Sequence, residues 1–357
     1  MKIRFLGLLF SSVVAHQLTF AQGYTEETQL LHTDDGEVLT GRWTLPEANV
    51  KAVVVILQGS GNVGLDGDVS GPFTGTGYRG ASAKLSDQIA YQLASLGVAS
   101  FRYNKRGYEN PQELPHQTAP YLISDAKSAL HEARARYPML KAGFVGLSEG
   151  ALVAVHVAAQ TPVDYLFLLS LPTRSIDEIF SYQVIQWPLE MLKLKVDVNR
   201  DGVISASEID HAGESFLLPY LNAPLAAHDQ DHNGSVAILS EATDIYRAVW
   251  SQIMGMMSTP AFSGWYQAMN NLPQFSIVAQ KIHVPTYLYQ AQDDAQVFWG
   301  WIESDRSYFG AETRLRRFSG VGHCFAPMDG VYGEIKTSGP LSDDVLSSLS
   351  SDILANI

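Results

Sequence analysis

Apolar residues recur along most of this chain in short continuous runs and in longer amphipathic segments, and the two patterns alternate. Ala52–Leu57 is a run dominated by β-branched residues, which is typical of a strand buried on both faces. Residues 83–96 carry apolar side chains at helical spacing and stop before Gly97, and Val98–Tyr103 is the next apolar run. Further helices are predicted at residues 123–137 and 149–159, and further strands at residues 143–147 and 164–169. This order predicts an α/β fold with a mostly parallel central sheet flanked by helices.

An antiparallel hairpin is predicted ahead of this region, because residues 28–33 and 38–43 flank an Asp-Asp-Gly turn. The alternation stops after residue 172 and resumes with a strand predicted at residues 284–289. A helix at 297–308, a strand at Thr313–Phe318 and a terminal helix from Leu341 are predicted to follow. We therefore predict one domain formed by residues 22–172 and 274–357, interrupted by an inserted, mainly helical cap at residues 173–273.

The beginning of the chain has the pattern of an export signal. Basic residues open it, residues 5–15 are largely apolar, and the small residues Thr19 and Ala21 precede Gln22. The apolar run is too short to span a bilayer. We therefore predict a signal peptide at residues 1–21, a secreted or periplasmic protein, and no membrane span after the signal is removed.

Composition and charge narrow the classes of partner. A hydrophobic content of 46% with 17% charged residues is too apolar for a disordered chain. The formal net charge is -13 and no basic stripe interrupts it, so we do not expect nucleic acid as a partner. The single cysteine, Cys324, excludes an intrachain disulfide and is predicted to pack rather than to react.

The pentapeptide Gly146-Leu147-Ser148-Glu149-Gly150 has the G-x-S-x-G pattern of a nucleophile on a sharp strand-to-helix turn. Such a turn is strained, and small flanking residues let neighbouring backbone approach the serine. An apolar predicted strand precedes the pentapeptide and an apolar predicted helix follows it. This context predicts that Ser148 is a catalytic nucleophile.

Two loops later in the chain offer an acid and a base for that serine. Asp293 and Asp294 both follow the predicted strand at 284–289, and either carboxylate could orient an imidazole. His323 lies on a glycine-containing loop after Thr313–Phe318 and completes the chain order Ser, Asp, His. We predict His323 as the base.

Two backbone N–H groups are predicted to stabilise a developing oxyanion. One is that of Glu149, directly after the nucleophile, and the other is that of Ser60, on the loop after Ala52–Leu57. Residues 59–64 also match the G-x-G-x-x-G pattern of dinucleotide-binding proteins. The following residues 65–72 contain three glycines or prolines and cannot open the helix that would bind a pyrophosphate, so we predict no organic cofactor.

These motifs, together with Gln58-Gly59-Ser60-Gly61 and residues 102–107, resemble the α/β-hydrolase superfamily, particularly bacterial dienelactone-hydrolase-like and acylaminoacyl-peptidase-like members. The resemblance covers roughly residues 28–172 and 280–357. It favours Asp294 over Asp293, because many members have a small residue three positions before the acid and Val three positions after it. It implies a serine hydrolase acting on a small acyl substrate, with a carboxylic ester first and a peptide or acyl-amino compound second. Members commonly carry Asp where this chain has Asn104, which puts the local hydrogen bonding in question.

Residues 197–208 of the predicted cap match the twelve-residue EF-hand loop at each diagnostic position. The predicted ligands are Asp197, Asn199, Asp201, the Val203 carbonyl, Ser205 through a water, and Glu208. We expect Ca²⁺ here as a structural cofactor that orders the cap.

A second loop resembles the first but departs from the pattern near its end. Its predicted ligands are Asp229, Asp231, Asn233 and Ser235. Its twelfth position is Ser240, and Glu241 lies one residue too late. Weaker binding is therefore expected here. Paired calcium loops also leave open another class of function, a calcium-dependent binding module on an inactive hydrolase scaffold.

Overall fold

The computed structural model describes residues 23–68, 84–212, 228–328 and 340–357. Its main sheet has eight strands: β1 (Tyr24–His32), β2 (Val38–Pro46), β3 (Ala52–Leu57), β4 (Val98–Tyr103), β5 (Ala142–Leu147), β6 (Leu166–Leu169), β9 (Thr286–Ala291) and β10 (Thr313–Phe318). A separate two-stranded sheet pairs β7 (Val203–Ser205) with β8 (Ser235–Ala237).

The strands of the main sheet follow the order β1-β2-β4-β3-β5-β6-β9-β10. β1 and β2 form the predicted hairpin, with Leu30 opposite Thr40, and β2 also runs antiparallel to β4. All other neighbouring pairs are parallel. The prediction of an α/β fold with a mostly parallel central sheet is confirmed.

The helices are α1 (Leu85–Ser95), α2 (Ala119–Arg136), α3 (Glu149–Ala158), α4 (Ile176–Ser181), α5 (Trp187–Met191), α6 (Ala206–Ala212), α7 (Thr243–Met257), α8 (Ser263–Asn270), α9 (Phe275–Ala279), α10 (Trp299–Asp305) and α11 (Asp343–Leu354). Buried side chains of α2, α3 and α9 form one apolar core with one face of the sheet. Those of α1 and α11 form a second core on the other face. Layers of helices on both faces follow from strands that are apolar on both sides.

Element boundaries differ from the predictions by a few residues. Helix α2 begins at Ala119 rather than at 123, because Thr118 is extended and Pro120 occupies a first-turn position where its missing N–H is not needed. Strand β9 covers Thr286–Ala291 and so extends two residues beyond the predicted strand. The extension carries the parallel register with β10 up to Ala291 and Phe318, next to the loops that bear the predicted acid and base.

The segment predicted as a cap contains α4 to α8 and the β7–β8 sheet. Its buried side chains form a third apolar core around Ile204, Val236 and Tyr246. The domain boundaries stay a prediction. The predicted signal peptide lies outside the described residues. Within the described ranges, none of the helices combines the length and hydrophobicity that a membrane span requires.

Candidate active site

Ser148 lies on the sharp turn between β5 and α3. Its backbone has φ 54° and ψ -118°, a conformation that is strained for a residue with a side chain. The Ser148 N–H donates to the carbonyl of Leu169 at 2.8 Å, which ties the turn to the end of β6. Strain of this kind is characteristic of a nucleophile elbow, where the turn projects the serine from the carboxyl edge of the sheet.

The two glycines of the pentapeptide are required by close backbone contacts. A Cβ on Gly146 would lie 2.6 Å from the carbonyl oxygen of Gly150 and 2.7 Å from the nitrogen of Ala151. A Cβ on Gly150 would lie 2.6 Å from the carbonyl oxygen of Gln58. Gly150 therefore lets the start of α3 pack directly against the loop after β3, which is the predicted oxyanion loop.

His323 and Asp294 are in contact. The His323 Nδ1 lies 2.9 Å from Asp294 Oδ2 and 3.0 Å from Oδ1. Both residues are buried, at 5% and 1% exposure. Asp294 Oδ1 also accepts the backbone N–H groups of Gln296 and Val297, and Oδ2 accepts the side-chain N–H of Gln290. The carboxylate is thus fixed by three donors and can orient the imidazole, leaving Nε2 for a substrate or nucleophile.

Asp293 has a different environment. It is exposed, and its Oδ2 accepts the backbone N–H of Gly320 at 3.0 Å. This contact joins the β9 and β10 loops without reaching His323. Of the two aspartates, the geometry brings Asp294 to the imidazole, as the resemblance favoured, while its catalytic role stays a prediction.

One cavity is lined by Ser148, His323 and the predicted oxyanion-loop residue Ser60. A Cβ on Gly59 would lie 3.6 Å from the Ser148 Cβ, so this loop runs beside the nucleophile. The loop and the α3 N-terminus thus bring both predicted oxyanion donors to the same region. Cys324 also lines the cavity, and burial raises the pKa of its thiol to about 12. A thiol that stays protonated agrees with the predicted packing role.

Lys105 is a buried residue of the candidate site that belongs to none of the predicted catalytic motifs. Its Nζ donates to the Glu149 Oε2 at 2.6 Å and to the carbonyl of Gly59 at 2.9 Å. The side chain of the neighbouring Asn104 accepts the N–H of Leu65 at 2.6 Å. No local motif marks Lys105, because its partners lie 44 and 46 positions away.

The first acidic loop has its carboxylates turned inward. Asp197 accepts the backbone N–H groups of Asp201 and Gly202, and Glu208 accepts those of Val198 and Ser205. Asp197 and Glu208 are buried, with 5% exposure each. The two ends of the loop therefore converge, as a bidentate glutamate at its last position requires.

The second loop has the same arrangement, with Glu241 in the position that Glu208 has in the first loop. Asp229 accepts the N–H groups of Asn233 and Gly234, and Glu241 accepts those of Gln230 and Ala237. A π-helical turn at Ile238–Ala242 absorbs the additional residue. Glu241, which the pattern places one residue late, thus accepts backbone N–H groups at the positions equivalent to those that Glu208 contacts, while its role as a ligand stays a prediction.

The two loops form one unit. β7 and β8 pair antiparallel with Ile204 opposite Val236, which are the eighth residues of the two loops. Among the described residues, the group of three potential ligands whose atoms all lie within 4.8 Å is Asp229, Asp231 and Glu241. Carboxylate oxygens at this separation suit a hard cation such as Ca²⁺.

Among the described residues, the segment predicted as a cap makes hydrogen bonds to Asp294 and Glu149 of the candidate site. The Tyr182 hydroxyl, from the cap core, donates to the backbone carbonyl of Asp294 at 2.9 Å. The indole N–H of Trp265, on α8, donates to Glu149 Oε1 at 2.8 Å. The order of the cap is therefore linked directly to the acid loop and to the residue after the nucleophile.

Comparison with known proteins agrees with this architecture. No family model matches the chain. Over 148 residues, which are 41% of this chain, it is 26% identical to Esterase EstD of Thermotoga maritima. That match covers 33% of the relative, so the chain spans about a third of the length of the curated relative it matches.

Two solved structures share the fold at low sequence identity. The esterase Pf2001 of Pyrococcus furiosus has a TM-score of 0.51 and 13% identity, with 94% of this chain and 92% of that chain covered. Est1E from Butyrivibrio proteoclasticus has a TM-score of 0.50 and 14% identity, with 92% and 98% covered. The chain thus shares the α/β-hydrolase fold of these two structures.

Proposed function

We propose that the chain is a serine hydrolase of the carboxylesterase type, with Ser148, His323 and Asp294 as its catalytic triad. The observation that carries this proposal is that Ser148, on its strained turn, lines the same cavity as His323. The Nδ1 of His323 contacts the carboxylate of Asp294, which can orient the imidazole. The name of the relative EstD, and those of the structural neighbours, support ester hydrolysis as the reaction.

The mechanism follows from these positions. His323 Nε2 takes the proton of the Ser148 hydroxyl as the oxygen attacks the acyl carbonyl. The Ser60 and Glu149 N–H groups donate hydrogen bonds to the tetrahedral oxyanion, and the protonated imidazole then gives its proton to the leaving alkoxide. Water, activated by the same histidine, releases the carboxylic acid and regenerates Ser148.

An apolar acyl group suits the cavity. Its lining includes Val63, Ile89 and Leu147, which offer hydrocarbon surface next to the nucleophile. Such a surface binds an acyl chain without needing a charged partner. We therefore propose an uncharged carboxylic ester as substrate rather than an amide, whose poorer leaving group demands more of the general acid.

Hydrolysis of p-nitrophenyl acetate, butyrate and octanoate, with p-nitroanilides of the same acids in parallel, tests this proposal. Ser148→Ala is expected to lower kcat by several orders of magnitude while the far-UV circular dichroism stays unchanged. Ser86→Ala is the matched control, because Ser86 lines the same cavity and has no assigned role. Ester hydrolysis that survives in the Ser148→Ala variant would contradict the triad. Faster cleavage of anilides than of esters would favour a peptidase or acyl-amino hydrolase.

We also propose that Ca²⁺ stabilises the cap at the two paired loops. Asp197, Asn199, Asp201 and Glu208 would supply the oxygens of one site. Asp229, Asp231, Asn233 and Glu241 would supply those of the other. The chemistry of these donors fits, since each set combines several carboxylates with an amide oxygen. The ion is proposed to be structural, because both loops lie outside the catalytic motifs.

Export completes the proposal. A signal peptide at residues 1–21 would direct the protein to the periplasm or the medium and be removed on export, and Ca²⁺ in the millimolar range there can fill sites of modest affinity. Expression of the full-length chain in a bacterial host, followed by N-terminal sequencing of the soluble protein, tests the cleavage site. A new terminus at Gln22 supports export, and an intact Met1 in the cytoplasmic fraction would contradict it.

A further inference from the structure

A buried ion pair lies directly behind the predicted oxyanion hole. Lys105 and Glu149 are 5% and 2% exposed, and the Nζ–Oε2 distance is 2.6 Å. Burying a lysine and a glutamate together costs desolvation that their attraction seldom repays, so such a pair is weak evidence for a role in stability. Its place beside the nucleophile suggests a role in catalysis instead.

The second contact of Lys105 explains that role. Its Nζ also donates to the carbonyl of Gly59 at 2.9 Å. The Gly59 carbonyl and the Ser60 N–H belong to the same peptide unit, and in a planar trans peptide these two groups point in opposite directions. A cation that fixes the carbonyl on one side of the peptide therefore fixes the direction of the Ser60 N–H on the other. It also withdraws electron density from the peptide, which makes that N–H a stronger donor.

Glu149 anchors the lysine and is itself held at both oxygens. Oε2 accepts from Lys105, and Oε1 accepts from the Trp265 indole at 2.8 Å. The backbone N–H of the same residue is the second predicted oxyanion donor, at the start of α3. The carboxylate thus joins the loop after β3, the loop after β4 and helix α8 of the cap around the two donors.

We propose that Lys105 and Glu149 are positioning residues of the oxyanion hole, and that Trp265 connects this hole to the cap. The inference rests on the proposed serine-hydrolase function. Lys105 touches no substrate atom; it acts through the Gly59–Ser60 peptide. Removing it leaves the Ser60 N–H present but free to turn away from the oxyanion.

The test compares Lys105→Met, Lys105→Arg and Glu149→Gln with the wild-type enzyme on p-nitrophenyl butyrate. Direct removal of an oxyanion donor typically lowers kcat by about 100- to 1,000-fold. Loss of alignment should cost less, so Lys105→Met is expected to lower kcat by about 10- to 100-fold with KM changed less than about threefold. Lys105→Arg, which can still donate to Gly59, should recover most of the loss.

A second readout separates alignment from general damage. Sulfur is a weak hydrogen-bond acceptor, so a thionoester gains little from an oxyanion hole. The ratio of kcat/KM for the ester to that for its thiono analogue should therefore fall in Lys105→Met. The matched control is Arg316→Met, which breaks the ion pair of Arg316 with the buried Asp352 and touches neither Gly59 nor Glu149. That control should leave the ratio unchanged.

Lys105→Met alone leaves the Glu149 carboxylate buried without its cation, and this variant could fail to fold. The double variant Lys105→Met/Glu149→Gln removes both charges and is therefore measured as well. It is expected to show the same loss of kcat and the same fall in the ratio. Wild-type kcat and wild-type ratio in the folded single or double variant would overturn the inference while leaving the triad intact. A wild-type enzyme without ester hydrolysis would instead refute the proposed function on which the inference rests.

Discussion

Replacing Asp294 by Asn is the substitution whose effect the structure defines most closely. Oδ1 accepts two backbone N–H groups, from Gln296 and Val297, so the amide oxygen of an asparagine must take that position. Its NH₂ group then lies at the Oδ2 position, facing His323 Nδ1. Because an NH₂ group can only donate, Nδ1 must accept, and the ring proton moves to Nε2. An imidazole protonated at Nε2 cannot take the proton of Ser148.

Asp294→Asn is therefore expected to lower kcat by about 10³- to 10⁴-fold, the size of effect that a wrong histidine tautomer produces in other serine hydrolases. Initial rates on p-nitrophenyl butyrate, with thermal melts as a check of folding, measure it. Asp293→Asn is the matched control: its amide oxygen can still accept the Gly320 N–H, so kcat should change less than about threefold. Greater damage from Asp293→Asn, or a loss below tenfold from Asp294→Asn, would refute this reasoning.

Three further predictions concern stability. EGTA should lower the melting temperature of the wild type, since calcium at tenfold excess over Kd adds about 1.4 kcal/mol to the free energy of unfolding. Glu241→Gln should reduce the difference in melting temperature between samples with and without EGTA. Asp210→Asn, which changes an exposed carboxylate nearby, should leave that difference unchanged. Burial lowers the pKa of His156 to about 4 from 6.5, so the unfolded chain binds the extra proton between these values and stability is lost as pH falls through this window. The loss is at most about 3 kcal/mol, and His156→Gln should reduce the slope of melting temperature against pH between 4 and 6.5. Gly150→Ala should destabilise the fold by about 1 to 3 kcal/mol, because its Cβ would lie 2.6 Å from the Gln58 carbonyl oxygen. The control is Gly255→Ala, at an open position of α7, which should be neutral or stabilising in the same melts.

The sequence could predict those parts of the fold and site that depend on local pattern. Continuous apolar runs indicate β3, β4 and β5. Ser148, Asp294 and His323 each follow the end of a strand, and they lie at one edge of the sheet because parallel strands end together there. Choosing between Asp293 and Asp294 needed a family resemblance, since the two share a loop and differ only in which way they face.

Other features depend on contacts that no local pattern contains. Glu241 lies at a position that the loop pattern rejects, and only a π-helical turn, which has no clear sequence signal, returns its carboxylate to the loop. The pairing of Lys105 with Glu149 joins residues 44 positions apart. Charge in the sequence predicts exposure for both residues, whereas each is buried because the other is present.

The central claim is that Ser148 is an activated nucleophile, and reaction with a fluorophosphonate tests it most directly. The measurement is the intact mass of the protein after incubation with the reagent, followed by peptide mapping of the modified site. We predict one phosphonyl group per chain on the peptide containing Ser148, and far slower labelling of the His323→Ala variant, in which the serine has lost its base. A wild-type protein that gains no mass, or that carries the group on another residue, would contradict the claim.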